Sequence, residues 1–109
     1  MERIAMGVKI RQKFIPQYKR FHKHVWPEVE TMMRKLGFRN VSIFLCGDTL
    51  FLYQEYFGSQ PIEEAYAEYA RNETCQRWEK AMSKIQLQSS GTLRGVNWMR
   101  LEELYHFEK

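Results

Sequence analysis

A chain of 109 residues and 13.2 kDa has room for one hydrophobic core and not two. Its 44% hydrophobic, 28% charged and 15% aromatic content, with six glycines and three prolines, excludes a disordered tail, a collagen-like fibre and a low-complexity segment. The formal charge of +4 is uneven, with ten Lys/Arg against three Asp/Glu over residues 1–47 and seven against ten over 48–109. The basic residues of the first part alternate with apolar ones, so they read as a solvated face rather than a nucleic-acid patch.

The first element follows at once. Over residues 3–10, Ile4, Met6, Val8 and Ile10 alternate with Arg3, Ala5, Gly7 and Lys9, the period of a half-buried strand. From Pro16 the period changes: Tyr18, Phe21, His22, Val25, Val29, Met32 and Leu36 form the stripe of an amphipathic helix closed by Gly37. Pro27 lies inside that stripe, lacks an N–H to donate and crowds the preceding turn, so a kink or break is expected near Trp26.

Residues 40–46 and 49–57 are apolar runs separated by Gly47-Asp48, a pair suited to a two-residue hairpin turn with positive φ at its first position. Pro61 suits the first position of a helix rich in Glu and Ala over 61–70. Asn72 is placed to cap a further helical piece in which Cys75, Trp78, Met82 and Ile85 share a face. Residues 88–95 read as a Ser- and Gly-containing loop, and 96–107 permit a final strand.

The order β-α-β-β-α-β predicts an α+β, ferredoxin-like domain spanning residues 1–109, an antiparallel sheet with its helices on one face. Phe44, Phe51, Tyr53 and Phe57 imply that the other face is not simply wet. A second sheet or a stacked nucleic acid is the natural cover.

The apolar runs fall far short of the roughly 20 residues that a membrane-spanning helix needs, so no membrane association is expected. The N-terminal residues carry none of the pattern of a secretory signal. Two cysteines, Cys46 and Cys75, read as packing residues in a reducing, cytoplasmic setting. With His106 they stand at spacings unlike any zinc motif, and neither a Gly-rich phosphate loop nor a nucleophile elbow occurs, so no metal or cofactor is expected.

The segment with most chemistry is residues 18–28. At about 100° per residue, His22 lies about 40° from Tyr18 and Trp26 about 40° further, which gathers an imidazole, a phenol and an indole on one quarter of the helix. Imidazole is the side chain whose ordinary pKa suits proton exchange near neutrality. His24 points the other way and does not pair with His22.

Tyr18, His22 and Trp26-Pro27-Glu28, followed by Cys75-Gln76-Arg77-Trp78, resemble the L-rhamnose mutarotase family. The resemblance extends over nearly the whole chain, including residues 40–45 and 101–107. It implies a cofactor-free isomerase that interconverts the α and β anomers of a deoxysugar, working as a homodimer whose sheets pack into a dimeric α/β barrel. His22 matches the family's acid, and Tyr18 and Trp78 match sugar-binding positions, with Trp26 as pocket wall or staple of the kink. Two positions depart: Val41 stands where the family usually has tyrosine, and Glu79 where it usually has a second tryptophan. Both concern sugar binding, so L-fucose stands beside L-rhamnose as a candidate. Glu79 offers an acceptor for sugar hydroxyls or a second proton carrier.

Three other readings compete. An RNA-recognition domain shares the element order, but residues 50–57 lack its Lys/Arg-Gly-aromatic opening and place Glu55 where phosphate would be repelled. A cofactor-independent oxygenase or a non-catalytic sugar-binding protein would use the same dimeric barrel.

Overall fold

In the computed structural model, residues 1–87 and 97–108 are described, and they form the strands β1 (Glu2–Lys9), β2 (Phe38–Cys46), β3 (Thr49–Tyr56) and β4 (Met99–Leu101) with the helices α1 (Ile15–Lys23), α2 (Pro27–Leu36), α3 (Ile62–Arg71) and α4 (Glu73–Ser83). The strands lie in the order β2-β3-β1-β4. Every pairing is antiparallel. This is the ferredoxin-like arrangement predicted from the element order.

The stripe ending at Leu36 is two helices rather than one. α1 stops at Lys23, residues 24–26 leave helical geometry, and α2 starts on Pro27, whose missing N–H costs nothing at a first position. The Trp26 carbonyl then accepts from Val29 N at 3.0 Å. α2 carries Glu28 and Glu30 in its first turn and Arg34 and Lys35 in its last, opposing the helix dipole at both ends. Pro61 sits one place earlier than predicted, capping α3 rather than opening it. Asn72 caps α4 as expected, its side chain accepting from Cys75 N at 3.0 Å.

The helix-facing side of the sheet holds Ile4, Met6 and Val8 of β1 and Leu50 and Tyr56 of β3, packed against Val29, Leu36, Ile62, Ala65, Cys75 and Met82 of the helices. β2 needs an irregularity to join this core. Arg39 pairs with Glu55 and Ser42 with Tyr53, so Asn40 and Val41 together face Gln54, and Asn40 takes a left-handed φ of 52°. The extra residue reverses the alternation. Phe38 and Ile43 therefore both reach the core, while Phe44 turns to the opposite face.

That opposite face is apolar and uncovered among the described residues. Phe44 is 62% exposed and Phe51, its partner across the strands, 41%. Met99 and Leu101 continue the patch along β4. Tyr53 is half-buried, its hydroxyl donating to Glu55 at 2.7 Å.

Two sequence expectations need correction or narrowing. Cys46 is exposed at the end of β2, and only Cys75 is a packing residue. The final strand is three residues long, because the segment after Leu101 leaves the sheet with Leu104, Tyr105 and Phe107 exposed. The loop assigned to residues 88–95 lies outside the described residues.

Gly37 ends α2 at φ 105°, and a Cβ there would stand 2.6 Å from the Gly58 backbone nitrogen. The Gly37 carbonyl also accepts from Phe57 N at 2.8 Å, tying α2 to the end of β3. Gly37→Ala combines left-handed strain with a backbone clash, and urea denaturation is expected to show a loss of roughly 1–3 kcal/mol. A loss near zero would contradict this close approach.

Candidate active site

The break between α1 and α2 sets up the site. It leaves His22 in the last turn of α1 and swings Trp26 off that helix, so the two no longer share a helical face as the spacing suggested. They are reunited by α4. The Trp78 indole, 5% exposed, meets His22 edge-on at 5.3 Å between ring centroids, Trp26 at 5.2 Å and Phe21 at 5.8 Å. On its other side the His22 ring stacks on Tyr18 at 4.2 Å with an interplanar angle of 25°. The imidazole is thus held between a phenol one turn earlier and an indole from the second half of the chain.

The His22 Nδ1 lies 3.0 Å from the Tyr18 carbonyl oxygen. A carbonyl can only accept, so Nδ1 carries the proton and Nε2 is the nitrogen free to exchange one. Two influences oppose each other on the ring. Burial among aromatic side chains penalises the imidazolium, whereas the Tyr18 carbonyl and the C-terminal end of α1 favour it. Burial wins, and the proton affinity of His22 falls below the ordinary 6.5.

Tyr18 is buried, with its hydroxyl facing the Gln86 side chain, and burial together with the charge of Glu79 makes that hydroxyl a weaker acid than a free phenol. Glu79, half-buried on α4, accepts from the Tyr69 hydroxyl of α3 at 2.8 Å. Desolvation raises its proton affinity and the Tyr69 hydrogen bond only partly reverses this. Val41 sits just past the bulge of β2 as a half-buried neighbour of the core. Having no polar group, it makes no hydrogen bond to the His22 cluster.

Tyr69 and Gln86 were not singled out by sequence. Tyr69 was within reach, since Ile62, Ala65, Tyr66 and Tyr69 recur at helical spacing along α3. Gln86 carried no signal, because its burial comes with its bridge to Ile10 just past the end of β1. Two surface cavities, about 480 Å³ between Arg34, Arg39 and Gln60 and about 310 Å³ between Phe14, Phe21 and Lys84, are lined by neither His22 nor Tyr18.

Fold and cluster together define a ferredoxin-like domain in which the His22 imidazole is set among the Tyr18 and Trp78 rings. Residues 3–107 match the family described as L-rhamnose mutarotase. The L-rhamnose mutarotase of Bacillus subtilis (strain 168) is 34% identical over 87 residues, covering 78% of this chain and 80% of that one. That of Opitutus terrae is 32% identical over 110 residues, covering 99% of this chain and all of its own length. The crystal structure of L-rhamnose mutarotase FA22100 from Formosa agariphila superposes with a TM-score of 0.78 at 26% identity, covering 99% of this chain and 100% of that one. The chain belongs to the L-rhamnose mutarotase family and is an isomerase of that type. Among the described residues no helix is long and apolar enough to cross a membrane.

The tautomer and the proton affinity of His22 are both observable. Nitrogen-15 correlation spectra of the imidazole are expected to show Nδ1 protonated in the neutral ring, with a titration midpoint below 6.5. A midpoint at or above that value would mean that burial does not govern the ring.

Proposed function

We propose that this protein interconverts the α and β anomers of L-rhamnose, or of a close relative such as L-fucose, with His22 as its acid/base group. In this reading Tyr18, Trp78, Glu79, Val41 and Trp26 line the sugar site, no cofactor takes part, and the active form is a cytoplasmic homodimer of one 1–109 domain. The observation that carries it is the His22 imidazole, fixed by its Nδ1 bond to the Tyr18 carbonyl and walled by Tyr18 and Trp78, in a member of this family.

Anomer exchange opens the pyranose ring. The anomeric hydroxyl loses its proton, the bond from the anomeric carbon to the ring oxygen breaks with its electron pair going to that oxygen, and the ring oxygen gains a proton. The aldehyde turns about its bond to the next carbon and the steps run backwards on its other face. Lowered proton affinity means that His22 enters as the neutral base, with the Nε2 lone pair available. Having taken a proton in opening, the same nitrogen is the acid on closure, which is how the family's acid role is met.

The homodimer reading rests on the open sheet face. Phe44, Phe51, Met99 and Leu101 form an apolar patch that a second copy of the same face would bury. Phe51→Glu is expected to shift the protein from dimer to monomer in sedimentation, and an unchanged sedimentation coefficient would place the contact elsewhere.

The activity is tested by saturation-transfer proton NMR on the anomeric signals of L-rhamnose, L-fucose and D-glucose. Acceleration by the parent and its loss by about 10²-fold or more in His22→Ala is the expected outcome. Because the neutral imidazole is the working form, kcat/KM should fall on acidification with a midpoint below 6.5. No acceleration of any sugar, or full activity in His22→Ala, would defeat the reading.

A further inference from the structure

Ring opening needs a proton accepted at one sugar oxygen and another delivered to the second, and His22 presents one free nitrogen because Nδ1 is tied to the Tyr18 carbonyl. A second group must serve the other oxygen. Water is one answer, but α4 also carries a carboxyl one residue after Trp78, whose charge acts on the Tyr18 hydroxyl.

Glu79 follows Trp78 on α4, so its side chain leaves the helix about 100° round from the indole that touches His22. It points to α3, where the Tyr69 hydroxyl donates to Oε1 at 2.8 Å. Tyr18 is the shared neighbour: its ring stacks on His22, and its hydroxyl lies in the field of the Glu79 carboxylate. Among the described residues no Lys or Arg pairs with Glu79, unlike Glu2 and Glu103, which pair with arginines. A half-buried carboxyl with a neutral phenol for partner and no cation is poorly suited to a structural ion pair and well suited to gaining and losing a proton.

We propose that Glu79, held in place by Tyr69, is the second proton carrier of the site and serves the sugar oxygen that His22 does not. This rests on the anomer-exchange reading above. In opening, the protonated carboxyl delivers its proton to the ring oxygen as the bond to the anomeric carbon breaks, while His22 Nε2 takes the proton of the anomeric hydroxyl and the carbonyl forms. In closure, the hydroxyl at the former ring oxygen returns its proton to the Glu79 carboxylate as that oxygen adds to the other face, and the imidazolium protonates the carbonyl oxygen. Protons and electrons balance over the cycle. Burial moves the two groups in the directions this assignment requires, Glu79 toward the neutral acid and His22 toward the neutral base.

The other titratable groups facing the carboxyl are Tyr69 of α3, Tyr18 of α1 and Cys75 of α4, with Glu28 of α2 acting on Cys75. Tyr69, Tyr18 and Cys75 are all pushed upward, away from the neutral range, which leaves Glu79 and His22 as the two limbs of the pH profile.

The test is the pH dependence of kcat and KM for L-rhamnose exchange in the parent, Glu79→Gln and Tyr69→Phe. Glutamine keeps the shape and still accepts from Tyr69 but carries no exchangeable acid. Glu79→Gln should lower kcat by about 10²-fold, leave KM within about threefold and abolish the alkaline limb. Tyr69→Phe removes the hydrogen bond that favours the carboxylate, so the alkaline limb should move to higher pH while the acid limb of His22 stays. A kcat within about threefold of the parent, or a change in KM alone, would reduce Glu79 to a wall of the site and overturn the proposal. If thermal melting shows that Glu79→Gln does not fold, Tyr69→Phe decides alone, a moved limb supporting the proposal and an unmoved one overturning it. A parent that accelerates no sugar would overturn the anomer-exchange reading and this one with it, whereas an active parent with unaffected variants overturns this one only.

Discussion

The structure turns on the Trp78 indole. Rings from both sides of a broken helix, Phe21 and His22 before the break and Trp26 at its far end, close on that one side chain. Without the interruption at Pro27, α1 would run on past His22 and carry Trp26 along its own axis. With it, the chain turns, α2 sets off at a new angle, and α4 supplies the surface on which the two pieces meet. Edge-to-face contacts between aromatic rings add to their simple burial, so the same cluster that positions the imidazole also helps hold α1, α2 and α4 together.

Around this apolar hub the polar groups are few and placed in chains. Tyr69 donates to Glu79, Tyr18 faces Gln86, and Gln54 of β3 donates to the Tyr66 hydroxyl at 2.8 Å. Each satisfies a neighbour from a different element, which makes the interior between sheet and helices a place where neutral hydrogen-bonding groups are tolerated and charges are disfavoured. Tyr66 shows the effect: burial, only partly offset by Arg100 and the Gln54 hydrogen bond, pushes its phenol up to about 12. A sugar, with many hydroxyls and no charge, is the kind of ligand such an environment accepts, and a titratable group inside it is driven toward its neutral form.

Much of this was legible along the chain. The alternation of Ile4, Met6, Val8 and Ile10, the Gly47-Asp48 turn with Gly47 at φ 62°, and the Asn72 cap are local properties, and each is found where it was read. The bulge at Asn40 was not, because nothing in a short apolar run announces an extra residue; it becomes necessary only when Phe38 and Ile43 must both reach one core. Cys46 misled for a similar reason. An apolar run predicts burial on average, but the last residue of a strand lies beyond the helices that would cover it.

The candidate site divides in the same way. Its members His22, Tyr18, Trp26 and Trp78, together with the family, come from the sequence, since residue types at fixed local spacing survive without coordinates. What tertiary structure decided is how they are joined: that Trp26 reaches His22 through Trp78 rather than along a helix, that Nδ1 is spent on the Tyr18 carbonyl, and that Tyr69 meets Glu79. Helical periodicity says which face a side chain takes within one element. Only the packing of α1, α3 and α4 against one another settles which nitrogen stays free and which carboxyl loses its water, and proton affinity follows from those two things.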